Sequence, residues 1–129
     1  PLYQEDFVVA MRSHHPLVDR FTLDAYCTAK HLLVSESGDP VGFVDALLAK
    51  HGRQRVVTAT APNFMLALSL LSGSDFVAAL PRRLVALHGH RFGVVAVEPP
   101  VELGSFALSA VLPGDARSDR GLAWLLGLL

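Results

Sequence analysis

The 129 residues carry eleven basic and twelve acidic side chains, a formal net charge of −1, and 18% charged against 51% hydrophobic residues. A near-neutral chain has no electrostatic footprint for nucleic acid, so any DNA contact is expected from outside this segment. The length fits one domain or less, and the shortage of charge implies either an unusually complete core or a surface covered by something this chain does not contain.

No apolar run approaches the ~18 residues of a membrane span, and no basic stretch precedes an apolar one as in a secretory signal. Both point to a cytoplasmic protein without a membrane partner. The single cysteine, Cys27, excludes an internal disulfide and fits a reducing compartment.

In chain order, Asp6 to Arg12 reads as a near-continuous apolar strand of the kind found at the centre of a sheet. Ser13-His14-His15-Pro16-Leu17 is a turn, because the residue before proline is pushed out of the α region. A short helix is expected at 22–26 with Thr22 near its cap, and a strand at 31–35. The loop 36–39 then leads into a helix from Pro40 to about His51, with Phe43, Val44, Leu47 and Leu48 as its stripe and Gly52 as its stop. Val56 and Val57 open the next strand, which ends at Thr58-Ala59-Thr60. Pro62 suits a first helical turn and Thr60 can cap it, so the following helix is expected from about Ala61 to Gly73. Phe76 to Leu80 has the apolar character of a strand buried in a parallel sheet. A helix from Pro81 to about His88, a strand at 93–97 ended by Pro99-Pro100, a strand at 106–112, the turn Pro113-Gly114-Asp115 and a helix at 118–128 complete the chain. Strands alternating with helices argue for an open α/β sheet.

The residue pattern excludes several chemistries. Only His14-His15 and His88-Gly89-His90 are close in sequence, without a third ligand at useful spacing, so the histidines read as surface or turn residues and no metal is expected. There is no G-x-S-x-G elbow, no G-x-G-x-x-G and no Walker A loop, so neither a catalytic residue nor a cofactor is implied. Cys27 reads as a partly buried small hydrophobe, and Arg82-Arg83 as a solvated helix start. Trp124 with Leu122, Leu125, Leu126 and Leu129 makes a packing face of the last helix.

What remains is a polar corner. Thr58 and Thr60 at a strand end, Pro62, Asn63 and Phe64 at a helix start, and Ser35 and Ser37 in the neighbouring loop all lie where ligands bind in open α/β sheets, beyond the carboxyl ends of strands. Helix N-termini there offer unpaired N–H groups and a positive partial charge that favours a small anion. Ordinary helix capping explains the same residues equally well. In either case no base, nucleophile or metal ligand accompanies them, which favours binding over catalysis.

The order of motifs resembles a known family. Leu2-Tyr3-Gln4-Glu5-Asp6-Phe7-Val8-Val9-Ala10-Met11-Arg12, then His15-Pro16-Leu17, the Thr22-Leu23 helix, His31 to Ser35, the Ala61-Pro62-Asn63-Phe64 to Leu70 helix, Ser74 to Arg83 and a closing Trp124-Leu125 helix resemble the effector-binding domain of LysR-type transcriptional regulators. The resemblance implies a type II periplasmic-binding-protein-like α/β fold, in which two subdomains joined by crossing strands hold a small effector. It further implies that 1–13 holds the first crossing strand and 14–100 an essentially complete second subdomain. Residues 101–129 would hold the return strand and last helix of the first subdomain. The winged helix-turn-helix and most of the first subdomain would lie outside this chain. By the same resemblance Thr60 would hydrogen-bond the effector, Asn63 orient it and Phe64 form an apolar wall. Thr58, Pro62, Ser35 and Ser37 would lie around them. A carboxylate or aromatic acid, a homo-oligomer, and DNA contacts made only by the absent part complete the expectation. The alternative is a solute receptor of the same fold with no DNA role.

Overall fold

The computed structural model describes residues 1–114 and 118–129. The chain divides into two units, Asp6–Gly104, and Pro1–Glu5 with Ser105–Leu129.

The strands β1 (Tyr3–Arg12, in the larger unit from Asp6 on), β2 (Lys30–Val34), β3 (Val56–Ala61), β4 (Phe76–Pro81) and β5 (Val94–Val97) lie in the order β3-β2-β4-β1-β5. β2 is parallel to both β3 and β4, with a register irregularity between His31 and Leu32 against β3. β1 is antiparallel to β4 and β5, with Val8 opposite Leu80 and Ala10 opposite Ala96. The helices are α1 (Leu23–Thr28), α2 (Phe43–Lys50), α3 (Phe64–Ser72) and α4 (Arg82–Phe92).

Strand side chains alternate between faces, and both faces of this sheet are covered. Val8, Ala10, Ala78 and Leu80 join Ala67, Leu68 and Leu71 of α3 and Val85 of α4 in one core. Val9, Met11 and Val77 join Tyr26 of α1 and Val44 and Leu48 of α2 in the other. A strand buried on both sides reads as a continuous apolar run, which is why β1 and β4 were recognisable without any alternation. Cys27 is half-buried beside the second core.

Several boundaries differ from expectation, each for a local reason. α3 starts at Phe64 and not at Ala61, which is the last residue of β3. Proline restricts the residue before it to extended backbone, so Pro62 prolongs the strand through Ala61. The cap is Asn63, whose Oδ1 accepts from the Leu66 N–H at 2.9 Å, and Thr60 does not cap. α2 likewise starts at Phe43 and not at Pro40, after Gly42, whose N–H donates to the Asp45 carboxylate at 2.7 Å. α4 continues past His88 to Phe92 because Gly89 is not a stop. A Cβ on Gly89 would lie 2.7 Å from the Val94 carbonyl oxygen, so the glycine is there for close approach of α4 to β5. The helix ends at Gly93, whose φ of 62° is left-handed.

The side chains expected to be solvated are also partly recruited. His15 is buried, its Nε2–H donating to the Asp75 carbonyl at 2.9 Å while Nδ1 accepts from the Leu17 N–H at 3.0 Å. Arg12 donates to the Asp75 carboxylate at 2.7 and 2.9 Å, so the turn after β1 is tied twice to the loop before β4. Arg82 is not a free helix start: it donates to both oxygens of Asp6, at 2.8 and 3.0 Å, and of Glu98, at 2.5 and 3.0 Å.

In the smaller unit, β6 covers Ser105–Leu108 and pairs with the start of β1, where the Leu2 N–H donates to the Leu108 carbonyl at 2.6 Å. The expected strand to residue 112 stops there. Beyond Leu108 the run finds no partner strand among the described residues, and extended backbone is stable in a sheet only when its N–H and C=O groups are paired. Asp115 of the expected turn lies outside the described residues. α5 (Arg120–Leu126) is shorter than 118–128 because Asp119 is its cap, Oδ1 accepting from Gly121 and Leu122 at 2.8 and 3.0 Å. No α5 residue is buried. No helix of the described residues is long and apolar enough to cross a membrane.

Candidate functional site

The three parallel strands end at Val34, Ala61 and Pro81, and the loop after β2 folds back over their carboxyl ends. The Ser35 N–H donates to the Ala61 carbonyl at 2.8 Å, holding that loop to the end of β3. Ser37 Oγ accepts from the Asp39 N–H at 3.3 Å, and Asp39 Oδ1 from the Val41 N–H at 3.0 Å. These two turns, each made by a side chain on the backbone two residues on, deliver the chain to Gly42 and the first turn of α2.

Between the first turns of α2 and α3 lies a concavity of about 230 Å³ bordered by Phe7, Leu33, Ser35, Gly42, Phe43 and Phe64. The rings of Phe7 and Phe43 are 4.6 Å apart and tilted by 37°. The lining is apolar except for the Ser35 hydroxyl and backbone groups. The first-turn N–H groups of a helix have no partner within it, so two positive dipole ends flank an apolar bowl. A larger hollow of about 580 Å³ runs along α4 and β5 from Arg82, next to the end of β4, and one of about 430 Å³ lies beside Cys27 and Arg53, away from these strand ends.

Of the residues singled out in the sequence, Ser35 and Phe64 border this concavity and the others do not. Asn63 spends its carbonyl oxygen on the cap, so for that atom the capping explanation holds. Pro62 is exposed ahead of it, and Ser37 shapes its own loop. Alternation along β3 turns Ala59 and Ala61 into the α3 core, which places Thr58, exposed, and Thr60, half-buried, on the other face. Phe7, Leu33, Gly42 and Phe43 were not singled out as site residues. They read as strand core and helix stripe, and only the docking of α2 on the sheet brings them to one place.

Behind the Gly42 edge of the concavity runs a polar chain of buried His31 and Arg55 and half-buried Asp45. Arg55, whose side chain is 1% exposed, donates to both oxygens of Asp45 at 2.9 and 3.0 Å. Its Nη1 lies 3.4 Å from His31 Nδ1, and His31 Nε2–H donates to the Tyr26 carbonyl at 2.6 Å. Burial pushes the His31 imidazole down to about 4, so it is neutral and accepts from the guanidinium. The expectation of surface or turn histidines therefore fails for His31, a buried strand residue, and holds for His15 as a turn residue, though a buried one. Burial also pushes the Tyr26 phenol up to about 12. Hydrogen bonds from Arg55 hold the Asp45 carboxyl below the usual range. Among the described residues no three His, Cys, Asp or Glu side chains converge as a metal site would require.

A family model described as the LysR substrate binding domain matches residues 1–129. The chain is 28% identical over 129 residues to the HTH-type transcriptional activator NahR of Pseudomonas putida, covering 99% of this chain and 43% of that protein. It resembles the regulatory domain of MexT, a transcriptional activator in Pseudomonas aeruginosa, with a TM-score of 0.72 and 28% identity over 98% of this chain and 62% of that one. The effector binding domain of QuiR in complex with shikimate, at 14% identity and a TM-score of 0.68, covers 99% of this chain and 64% of that one and shares the fold alone. The chain thus spans less than half the length of the curated relative it matches.

Proposed function

Because the chain belongs to the LysR substrate binding domain family, we propose that it is the sensing part of a cytoplasmic, homo-oligomeric DNA-binding regulator, and that a small effector binds at the carboxyl ends of β2, β3 and β4. The observation that carries this reading is the apolar bowl between the first turns of α2 and α3, where open α/β sheets place their ligands. The Phe7, Phe43 and Phe64 rings suit a flat apolar body, and the two helix N-termini favour a carboxylate attached to it. No side chain bordering the bowl is a general base or an activated nucleophile, so recognition without turnover is the chemistry proposed. DNA is contacted by another part of the full-length protein. In this reading 1–13 crosses between subdomains, 14–100 forms the second subdomain and 101–129 returns to the first.

The effector changes the regulator only through a difference in its affinity for two states of the domain. Isothermal calorimetry of the full-length protein with benzoate, shikimate and succinate tests the site. At least one carboxylate is expected to bind, and Phe64→Ala to weaken it about tenfold or more, which corresponds to roughly 1.4 kcal/mol. Ser35→Ala should weaken it less. Thr60→Val, at a position that does not border the bowl, should weaken it least. Failure of all three compounds to bind, or equal affinities across these variants, removes the bowl as the effector site.

A further inference from the structure

The Gly42–Phe43 wall of the bowl is held from behind. Gly42 has no side chain with which to cap α2, and its own N–H is fixed by the Asp45 carboxylate at 2.7 Å. That carboxylate is fixed in turn by the two-bond fork of Arg55, at 2.9 and 3.0 Å. The wall is tight: a Cβ on Gly42 would lie 3.0 Å from Leu33 Cδ1 and 3.7 Å from Arg55 Nη2. Tyr26, Val44 and Leu48 form the apolar core beside the pair, and apolar side chains of similar volume could fill such a space with no loss of stability. Placing a fully buried guanidinium there, against an Asp45 carboxylate that is 27% exposed, therefore calls for a reason other than stability. Directionality supplies one, because a planar guanidinium on a carboxylate fixes both orientation and distance.

We propose that Asp45 and Arg55 are positioning residues for the effector bowl, holding its Gly42–Phe43 wall through the Gly42 N–H without lining the bowl themselves. The inference rests on the sensing function proposed above. His31, accepting at Nδ1 from Arg55, is the backstop that keeps the fork from rotating away.

The test uses the full-length protein, with backbone amide exchange and benzoate calorimetry side by side. Replacing the pair together, Asp45→Leu with Arg55→Met, leaves no orphaned charge. The variant should melt within a few degrees of the parent. Its Gly42 and Phe43 amides should exchange at least tenfold faster, Val77 and Ala78 at the sheet centre should be unchanged, and benzoate should bind at least tenfold more weakly. Asp45→Asn, which leaves one carbonyl oxygen for three donors, should move both readouts in the same direction and serves if the double replacement does not fold. Unchanged Gly42 exchange, acceleration shared equally by Val77 and Ala78, or benzoate affinity equal to the parent's would overturn the proposal. A parent protein that binds no carboxylate would instead sink the sensing function, and the exchange comparison would still decide whether the pair positions the wall.

Discussion

Helices α3 and α5 are both rich in leucine, yet α3 buries Ala67, Leu68 and Leu71, whereas α5 buries nothing and leaves Trp124 69% exposed. The difference lies in what each can reach. α3 follows a strand of a five-membered sheet and drops onto its face, completing a core with β1, β2, β4 and α4. α5 belongs to a unit that supplies only a few residues of β1 and the short strand β6. The 51% apolar composition is therefore unevenly used: the larger unit has two complete cores, while Val111, Trp124, Leu128 and Leu129 lie open in the smaller one. Apolar sequence specifies that a face wants cover, and tertiary neighbours decide whether it gets it.

That contrast can be broken from its buried side first. Asp45→Leu alone leaves the Arg55 charge uncompensated at 1% exposure, and urea unfolding of the full-length protein should show a loss of about 3–5 kcal/mol. Leu68→Ala in the α3 core should cost about 2–5 kcal/mol, depending on how far the cavity collapses. The pH dependence should also belong to the larger unit. Unfolded His31 takes a proton below the ordinary histidine value of 6.5, and folded His31 only below about 4. Between those values the unfolded chain holds more protons, so stability is full above pH 6.5 and falls as pH drops toward 4, by roughly 3 kcal/mol in all. His31→Gln should flatten that slope in urea unfolding midpoints taken across the window; a slope that persists would place the titrating group elsewhere. The smallest effect is expected on the open side, where Trp124→Ser should change stability by no more than about 0.5 kcal/mol. A loss of several kcal/mol in the full-length protein would mean that this face is covered there.

How much of this was legible in the sequence depended on whether the deciding signal was local. β1 and β4 announced themselves as apolar runs, and the start of α1 followed from Thr22, whereas the end of α4 at Gly93 was missed because Gly93 read as the first residue of the next strand. At the β3–α3 junction two local rules competed. Pro62 could open a helix or extend the residue before it, and the second won, which moved the cap from Thr60 to Asn63. The region of the site was readable because strand ends and helix starts are. Its walls were not, since Phe7 and Phe43 stand far apart in the chain and meet only through packing. Nor could the spacing of Asp45 and Arg55 reveal an ion pair on a buried guanidinium, because α2 and the turn after it decide which way each side chain faces.

Gly89 carries a consequence for how this fold can vary. With the Val94 carbonyl 2.7 Å from where a Cβ would stand, no other amino acid fits without backbone displacement, so helix α4 and strand β5 can drift in sequence only as a coupled pair. A mutational library across α4 should tolerate nearly everything at exposed Ala86 and Leu87 and almost nothing at position 89. Variants that do survive there should carry a second change in the 93–96 segment that lets the strand step back.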